Sequence, residues 1–299
     1  MKRIITVSIA LFCVNVLLAQ EVDLFKTMNE EAAKKDSLTK EYVEATFKST
    51  HLINGHSIET TKAGLLDFRI SHRFGLINQG SYQFFGLDNA TERLGLDYGI
   101  TNNLGIGIGR STFQKQMDGF VKMKLLKQST GNHASPVSIT GLAAVIIKTL
   151  KEADPNIKRT TGDKTSYVYQ LIIAKKFSPK TSVQLLPTFV HYNLVPLAND
   201  PNDLYSLGIG ARQKVSKRLS ITAEYYYQFN QFSGFYNSLA IGVDIETGGH
   251  VFQLHFTNST GMTESTFINQ TTGKWADGDV HFGFNISRVF KIKKQKLTP

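Results

Sequence analysis

The fold is decided by an alternating pattern that is clearest in the stretch Arg93-Leu94-Gly95-Leu96-Asp97-Tyr98-Gly99-Ile100. One set of alternate positions holds Leu, Leu, Tyr and Ile, and the other holds Arg, Gly, Asp and Gly. Because successive side chains of a strand point to opposite faces, one face suits lipid and the other suits water. A sandwich strand also alternates, but its exposed face is usually Thr, Lys or Glu instead of glycine. The small residues on the polar face indicate a crowded barrel lumen.

The same alternation recurs between residues 64 and 290 in segments of about ten residues, the length that a tilted strand needs to cross a bilayer. The sequence therefore predicts an all-β fold, a closed antiparallel transmembrane β-barrel of about 12 strands, preceded by a short N-terminal helical or disordered arm. The predicted strands are 64–74, 91–100, 104–112, 118–127, 137–149, 165–177, 181–192, 203–215, 219–229, 237–246, 250–259 and 280–290.

The connections between these strands fall into two groups by length. Tight connections are expected at 101–103, 178–180, 216–218 and 247–249, and the longer stretch 128–136 is the exception in this group. Longer connections are expected at 75–90, 113–117, 150–164, 193–202, 230–236 and 260–279. Outer-membrane barrels have short periplasmic turns and longer external loops. We therefore expect the N-terminus of the barrel to be periplasmic, in the cell outer membrane.

The N-terminal region differs in composition from the barrel. Lys2 and Arg3 precede an apolar run, which predicts a signal peptide over residues 1–19 that is cleaved after Ala19. Residues 20–60, rich in charge and in helix-forming residues, are expected to form a periplasmic arm. Residues 61–290 are expected to form the barrel, and 291–299 a polar tail.

Composition bears on the possible partners. The formal net charge is +10, but the lysines and arginines are spread along strands and turns, and exported proteins seldom meet nucleic acid. We therefore expect no nucleic-acid partner. The expected partners are outer-membrane lipid and small anionic solutes. The only cysteine, Cys13, lies in the predicted signal peptide, so no disulfide is expected in the mature chain.

A family resemblance is visible in three segments, Phe47-Lys48-Ser49-Thr50-His51-Leu52-Ile53-Asn54, Leu66-Asp67-Phe68-Arg69-Ile70-Ser71-His72-Arg73-Phe74-Gly75 and Gly249-His250-Val251-Phe252-Gln253-Leu254 with Thr257-Asn258-Ser259. They resemble an uncharacterised Bacteroidota β-barrel family, domain of unknown function 5777. The resemblance implies a barrel in the outer membrane, and it brings no substrate or catalytic residue with it.

Strand parity predicts which side chains line the lumen. If Leu66, Phe68 and Ile70 face lipid, the alternate residues face inward. The predicted lumen-lining residues are Asp67, Arg69, Arg73, Arg93, Asp97, Lys122, Lys124, Arg212, Glu224, Asp244, His255 and His281. Six basic side chains outnumber four acidic ones, and because the low-dielectric walls of a pore focus this charge, the excess favours anions. The alternative interpretation is a set of paired charges that fills and rigidifies a narrow barrel.

Three functions are compatible with these sequence patterns. The leading hypothesis is a passive pore or small-solute transporter; the others are a structural or adhesive barrel with a plugged lumen, and a lipid-modifying enzyme. The enzyme would use His255, Asn258 and Ser259, but His255 and Ser259 stand about 13 Å apart along one strand. The histidines show no metal-binding spacing. We therefore expect no catalytic residue, no metal and no cofactor.

Overall fold

The computed structural model describes residues 39–292. The predicted signal peptide, the first part of the predicted arm and most of the predicted tail lie outside the described residues. The chain divides into two compact units, of which the smaller contains residues 39–43 and 128–136 and the larger contains 44–127 and 137–292 of the described part. In the smaller unit Glu41–Tyr42 pairs antiparallel with Ser129–Thr130. Residues 128–136, the long exception among the predicted tight turns, therefore contribute a strand to this pairing.

The larger unit contains a closed barrel of twelve strands, each antiparallel to its neighbours. The predicted fold class is confirmed. Closure is made by the last strand against the first, where Ile286 lies opposite Ile70. In chain order the strands are β1 (Leu65–Leu76), β2 (Ala90–Gly99), β3 (Leu104–Ser111), β4 (Gln116–Leu126), β5 (Ser138–Lys148), β6 (Thr165–Lys176), β7 (Thr181–Tyr192), β8 (Asp203–Lys214), β9 (Leu219–Gln228), β10 (Ser238–Thr247), β11 (His250–Thr257) and β12 (His281–Lys291).

The two faces of each strand separate as the alternation predicts. In β2 the side chains of Arg93 and Asp97 are buried inside the barrel, whereas Leu94 is 47% exposed and Leu96 is 38% exposed on the outer face. An outer face of exposed leucine, isoleucine and valine is unfavourable in water and favourable in a bilayer. No helix in the stretch 39–292 has the length and hydropathy that crossing a membrane requires.

With two exceptions, short and long connections lie at opposite ends of the barrel: the long connection 127–137 joins its strands at the same end as the short ones, and the four-residue connection 112–115 joins its strands at the same end as the long ones. The turns 100–103, 177–180, 215–218 and 248–249 join strands at one end, which we call the turn end. The connections 77–89, 112–115, 149–164, 193–202, 229–237 and 258–280 join strands at the other, which we call the loop end. Because β1 begins at the turn end, the segment that precedes it enters the barrel there.

Inward-facing glycines make room for large side chains in the lumen. The guanidinium of Arg93 lies over Gly95 and Gly109, and the ring of Phe120 lies over Gly107. A Cβ at Gly109 would overlap the guanidinium, and a Cβ at Gly107 would overlap the ring. The small residues on the polar face therefore do accompany a crowded interior.

The aromatic residues near strand ends do not all face the membrane. Phe177, Tyr205 and Phe229 are exposed on the outer face, as expected for interfacial aromatics. Tyr192 also lies at a strand end, but it is buried in the interior. It shares the inward parity of Val190, and its hydroxyl donates to the carbonyl oxygen of Ser265.

Candidate functional site

Residues 44–63 fold into the barrel from the turn end, and we call them the inner plug. Their centre is a tight hairpin in which the N–H of Leu52 donates to the oxygen of Gly55 at 2.9 Å and the N–H of Ser57 donates to that of Thr50 at 2.9 Å. The composition of residues 20–60 predicted a periplasmic arm, whereas in the structure Phe47, Leu52 and Ile53 are buried inside the barrel. The physical reason is composition: between residues 46 and 58 Lys48 is the only Lys, Arg, Asp or Glu.

The tip of the plug is held by one carboxylate. Glu224 of β9 accepts hydrogen bonds from the backbone N–H groups of Ile53 at 3.2 Å, Asn54 at 2.8 Å and Gly55 at 3.2 Å. Hydrogen bonds to an ionised acceptor are stronger than neutral ones. The Glu224 carboxylate therefore accepts from three consecutive backbone N–H groups of the tip, as a bound anion accepts from the N–H groups of a helix N-terminus.

The opposite side of the tip is held by two arginines of β1. Arg69 Nη2 donates to the oxygen of Ile53 at 2.7 Å, and Arg73 Nη2 donates to Asn54 Oδ1 at 2.7 Å. Asn285 of β12 donates to the same oxygen of Ile53 at 3.0 Å. The carbonyl and N–H groups of the hairpin tip are thus satisfied by wall side chains instead of by water.

A second set of contacts holds the plug nearer the turn end. Lys122 Nζ donates to the carbonyl oxygens of Thr50 at 3.1 Å and Glu59 at 2.5 Å, and Lys124 Nζ lies 3.2 Å from Glu59 Oε2. The hydroxyl of Thr50 is 3.1 Å from Asp97 Oδ2. These strand residues bind the plug and do not face open lumen.

The remaining wall contacts complete the circumference. Gln184 of β7 donates to the oxygen of His56 at 2.9 Å, and Thr140 of β5 donates to that of Ile58 at 3.1 Å. Lys48 lies 3.1 Å from Glu246 of β10. The plug is therefore in contact with strands on all sides of the barrel.

The connection between β11 and β12 folds into the barrel from the loop end, and we call its residues 258–273 the lid. Its single helical turn α1 (Glu264–Phe267) is wholly buried. Thr263 Oγ1 donates to Gln116 Oε1 of β4 at 2.8 Å, and the lid meets the plug where His56 Nε2 lies 3.4 Å from Glu264 Oε1. The two inserted segments close the lumen from both ends.

An apolar cluster fills the space between plug, lid and wall. Tyr226 of β9 lies at its centre, with its ring 5.1 Å from that of Phe267 in an edge-on arrangement. The members are Phe47, Leu52 and Ile58 of the plug, Phe267 and Ile268 of the lid, and Ile172, Ala174, Leu186 and Tyr226 of the wall. The interior is therefore polar around the plug tip and apolar where plug and lid meet.

The predicted lumen-lining residues all lie on inward-facing positions. Several contact the plug as described above, namely Asp67 (through Thr50), Arg69, Arg73, Asp97, Lys122, Lys124 and Glu224. The others contact the wall: Arg93 pairs with Asp118, Arg212 lies 2.7 Å from Glu246, Asp244 accepts from Gln253 at 3.1 Å, and His281 Nδ1 lies 2.9 Å from the oxygen of Phe74. His255 is buried, and neither of its ring nitrogens has a hydrogen-bond partner in residues 39–292.

Two inward carboxylates were missed from the sequence. Asp118 and Glu246 share strand parity with Lys122 and Asp244, so the rule that found those residues would also have found them. Adding these two to the four acidic residues of the predicted set gives six, which equals the number of basic residues in that set. Within this set the basic excess is therefore absent. The same parity also places Lys148, Lys176 and Lys214 on inward-facing positions, so the strands as a whole still carry more basic than acidic inward residues.

The three residues considered for a catalytic site, His255, Asn258 and Ser259, are not hydrogen-bonded to one another. His255 and the hydroxyl of Ser259 are both buried and lack hydrogen-bond partners in the described part of the chain, so they do not bond each other. Asn258 donates to the oxygens of Asn237 and Gly273, each at 2.9 Å, in the lid's anchor. No group of three or more His, Cys, Asp or Glu side chains in the described residues could hold a metal ion.

Comparison with known proteins agrees with a membrane barrel. The family model described as membrane bound beta barrel domain (DUF5777) matches residues 47–290, so its match begins within the inner plug. No curated protein matches the chain in sequence.

Solved structures of similar shape include several porins. The NanC porin shares 9% identity at a TM-score of 0.46 over 77% of this chain and 100% of its own. The KdgM porin shares 10% identity at 0.46 over 76% and 99%. Omp33 of Acinetobacter baumannii shares 10% identity at 0.40 over 75% and 97%. At these scores the likenesses carry no argument about function.

Proposed function

Because the chain belongs to the membrane bound beta barrel domain family, we propose that it is a gated outer-membrane channel for small solutes, closed in this conformation by the inner plug and the lid. The observation that carries the proposal is the chemistry of the wall beneath the plug tip. Arg69, Arg73 and Glu224 hold the tip with charged or hydrogen-bonding groups. Such groups are readily hydrated, so withdrawal of the plug would leave a wall at the level of the tip that water can solvate.

The proposed solutes are small and anionic. Asp118 and Glu246 neutralise Arg93 and Arg212 within the wall. Arg69 and Arg73 donate to plug oxygens instead. When the plug leaves, these two guanidiniums lose those acceptors together and present adjacent cationic donors, which attract carboxylates or phosphates.

Solute uptake by liposomes tests this function. A variant in which a four-residue Gly-Ser linker replaces 47–58, and another replaces 261–271, should admit small carboxylate anions far faster than wild-type protein. Adding Arg69→Gln and Arg73→Gln should reduce the preference for anions over cations of equal size. An assembled double-replacement variant that admits no solute would refute a channel, and unchanged preference would refute the role of the two arginines.

The barrel orientation gives a labelling prediction. We propose that the loop end faces the outside of the cell and that the N-terminus is periplasmic, because long loops are external in such barrels. Cysteines at Asp154 and Lys158, both exposed in the 149–164 connection, should react with an impermeant reagent on intact cells. A cysteine at Lys217 in a tight turn should react only after lysis. Reversed labelling would invert the topology.

A structural barrel with a permanently plugged lumen is the second candidate. The apolar cluster between plug and lid favours it, because withdrawing both segments exposes Ile172, Leu186 and Tyr226 to water. Under this alternative wild-type protein never conducts, and the variant without plug and lid either conducts as an artefact of the deletion or fails to assemble. Openings of the wild-type protein distinguish the two.

A further inference from the structure

We propose that the outer face of the barrel carries a binding groove for one acyl chain of an outer-leaflet lipid, crossing strands β4 to β8. The groove has a volume of about 690 Å³. Its floor is formed by Gly141 and Ala143 of β5, and its sides are formed by outward-facing residues of β4 and of β6 to β8. The proposal depends on the membrane family and, for the outer leaflet, on the proposed orientation, and it is independent of whether the lumen conducts.

The groove exists because small residues form its floor between larger neighbours. Gly141 lies opposite Met123 on one side and Leu171 on the other. Ala143 lies between Val121 and Tyr169 in the same way. In a wall whose other outward residues are mostly large and apolar, two small residues on one strand leave a depression that the neighbouring strands do not fill.

The length and ends of the groove fit an acyl chain. The longer of its two rows of residues runs from Val121 to Tyr205 across five strands, or four interstrand spacings, which is about 19 Å. Half of a bilayer's hydrocarbon core is about 15 Å. Phe189 stacks between Tyr169 and Tyr205 with ring separations of 6.2 and 5.2 Å, and Tyr205 lies near the loop end of β8. Tyrosines near a membrane surface prefer the level of the lipid head groups, so the head group belongs at this end.

The chemistry of the lining excludes other occupants. No Lys, Arg, Asp or Glu side chain lines the groove among the described residues, so it offers nothing to bind a head group or a polar solute along its length. A second copy of the chain fits poorly, because a two-fold interface places the same concave patch against itself and leaves the space unfilled. A flexible apolar chain can follow its shape, which the same rigid patch of a second copy cannot.

Native mass spectrometry of the protein, purified in mild detergent from outer membranes, tests the site. Wild-type protein should retain one lipid per barrel, and Gly141→Leu with Ala143→Leu should lower retention at least tenfold by filling the floor. Gly119→Leu is the matched control, a lipid-facing glycine of β4 outside the groove, and it should retain the lipid.

A second measurement keeps the test independent of purification. In vesicles of phosphatidylethanolamine and phosphatidylglycerol containing spin-labelled phosphatidylglycerol, electron paramagnetic resonance should show fewer immobilised chains per barrel for the double variant than for Gly119→Leu. Equal retention and equal immobilisation in all three proteins would overturn the site. A dimer in the wild type that the double variant loses would assign the groove to a second copy.

Discussion

Replacing Glu224 with alanine is expected to release the inner plug more strongly than any other single substitution in the wall. The change leaves three tip N–H groups without their acceptor, and breaking a buried charged interaction costs about 3–5 kcal/mol. Plug release can be followed by the labelling rate of a cysteine at Ser57, a fully buried plug residue, in a Cys13→Ser background. The rate should rise by at least a hundredfold.

A matched control is available for this substitution. Ser206 faces the lumen from β8, and its hydroxyl has no hydrogen-bond partner in residues 39–292, so Ser206→Ala should leave the labelling rate unchanged. If Glu224→Ala labels no faster than Ser206→Ala while both proteins assemble, the carboxylate does not hold the plug.

Gly55→Ala is expected to displace the plug for a steric reason. A Cβ at Gly55 would overlap the hydroxyl oxygen of Tyr226, a buried residue of the packed wall. Overpacking of this kind costs about 1–3 kcal/mol. A shift of that size changes a two-state population by roughly 5- to 150-fold, and the Ser57 cysteine should label faster by a factor in that range. Gly248→Ala is the control, because a Cβ there meets no atom within 4 Å.

The same contact provides a rescue. In Tyr226→Phe the clashing oxygen is removed, and the next nearest atom, the ring carbon Cζ, lies 3.1 Å from the new Cβ. The Tyr226 hydroxyl has no hydrogen-bond partner in the described part of the chain, so its loss should cost little by itself. The combination of Gly55→Ala and Tyr226→Phe should therefore label nearly as slowly as the parent. Additive effects of the two changes would mean that the tip does not sit against Tyr226.

The strands could be predicted from the sequence because two independent constraints act on them. Period-two alternation fixes which side faces lipid, and bilayer thickness fixes the length. The predicted strand 104–112 and the observed Leu104–Ser111 differ by one residue at one end. The parity rule was also sufficient for the wall charges, and the carboxylates Asp118 and Glu246 and the lysines Lys148, Lys176 and Lys214 were missed only because it was not applied to them.

The inserted segments could not be predicted by the same reasoning. A segment that lies in a lumen follows no period, since its contacts come from strands far apart in the chain, such as β1 with Arg69 and β9 with Glu224. A weaker signal was present in the charge content. The lid has one Asp, Glu, Lys or Arg, Glu264, in residues 258–273, whereas the connection 149–164, also at the loop end, has seven. Low charge alone does not identify such a segment, because the connection 77–89 also has a single charged residue, Asp88, and most of its residues are exposed.

Single-channel recording in planar bilayers tests the gated barrel most directly. We expect wild-type protein to be closed for most of the record with brief openings, Glu224→Ala to open more often to the same conductance, and the variant without residues 47–58 and 261–271 to stay open. The account is contradicted if the wild-type protein conducts as steadily as that variant, or if an assembled barrel lacking both segments passes no current.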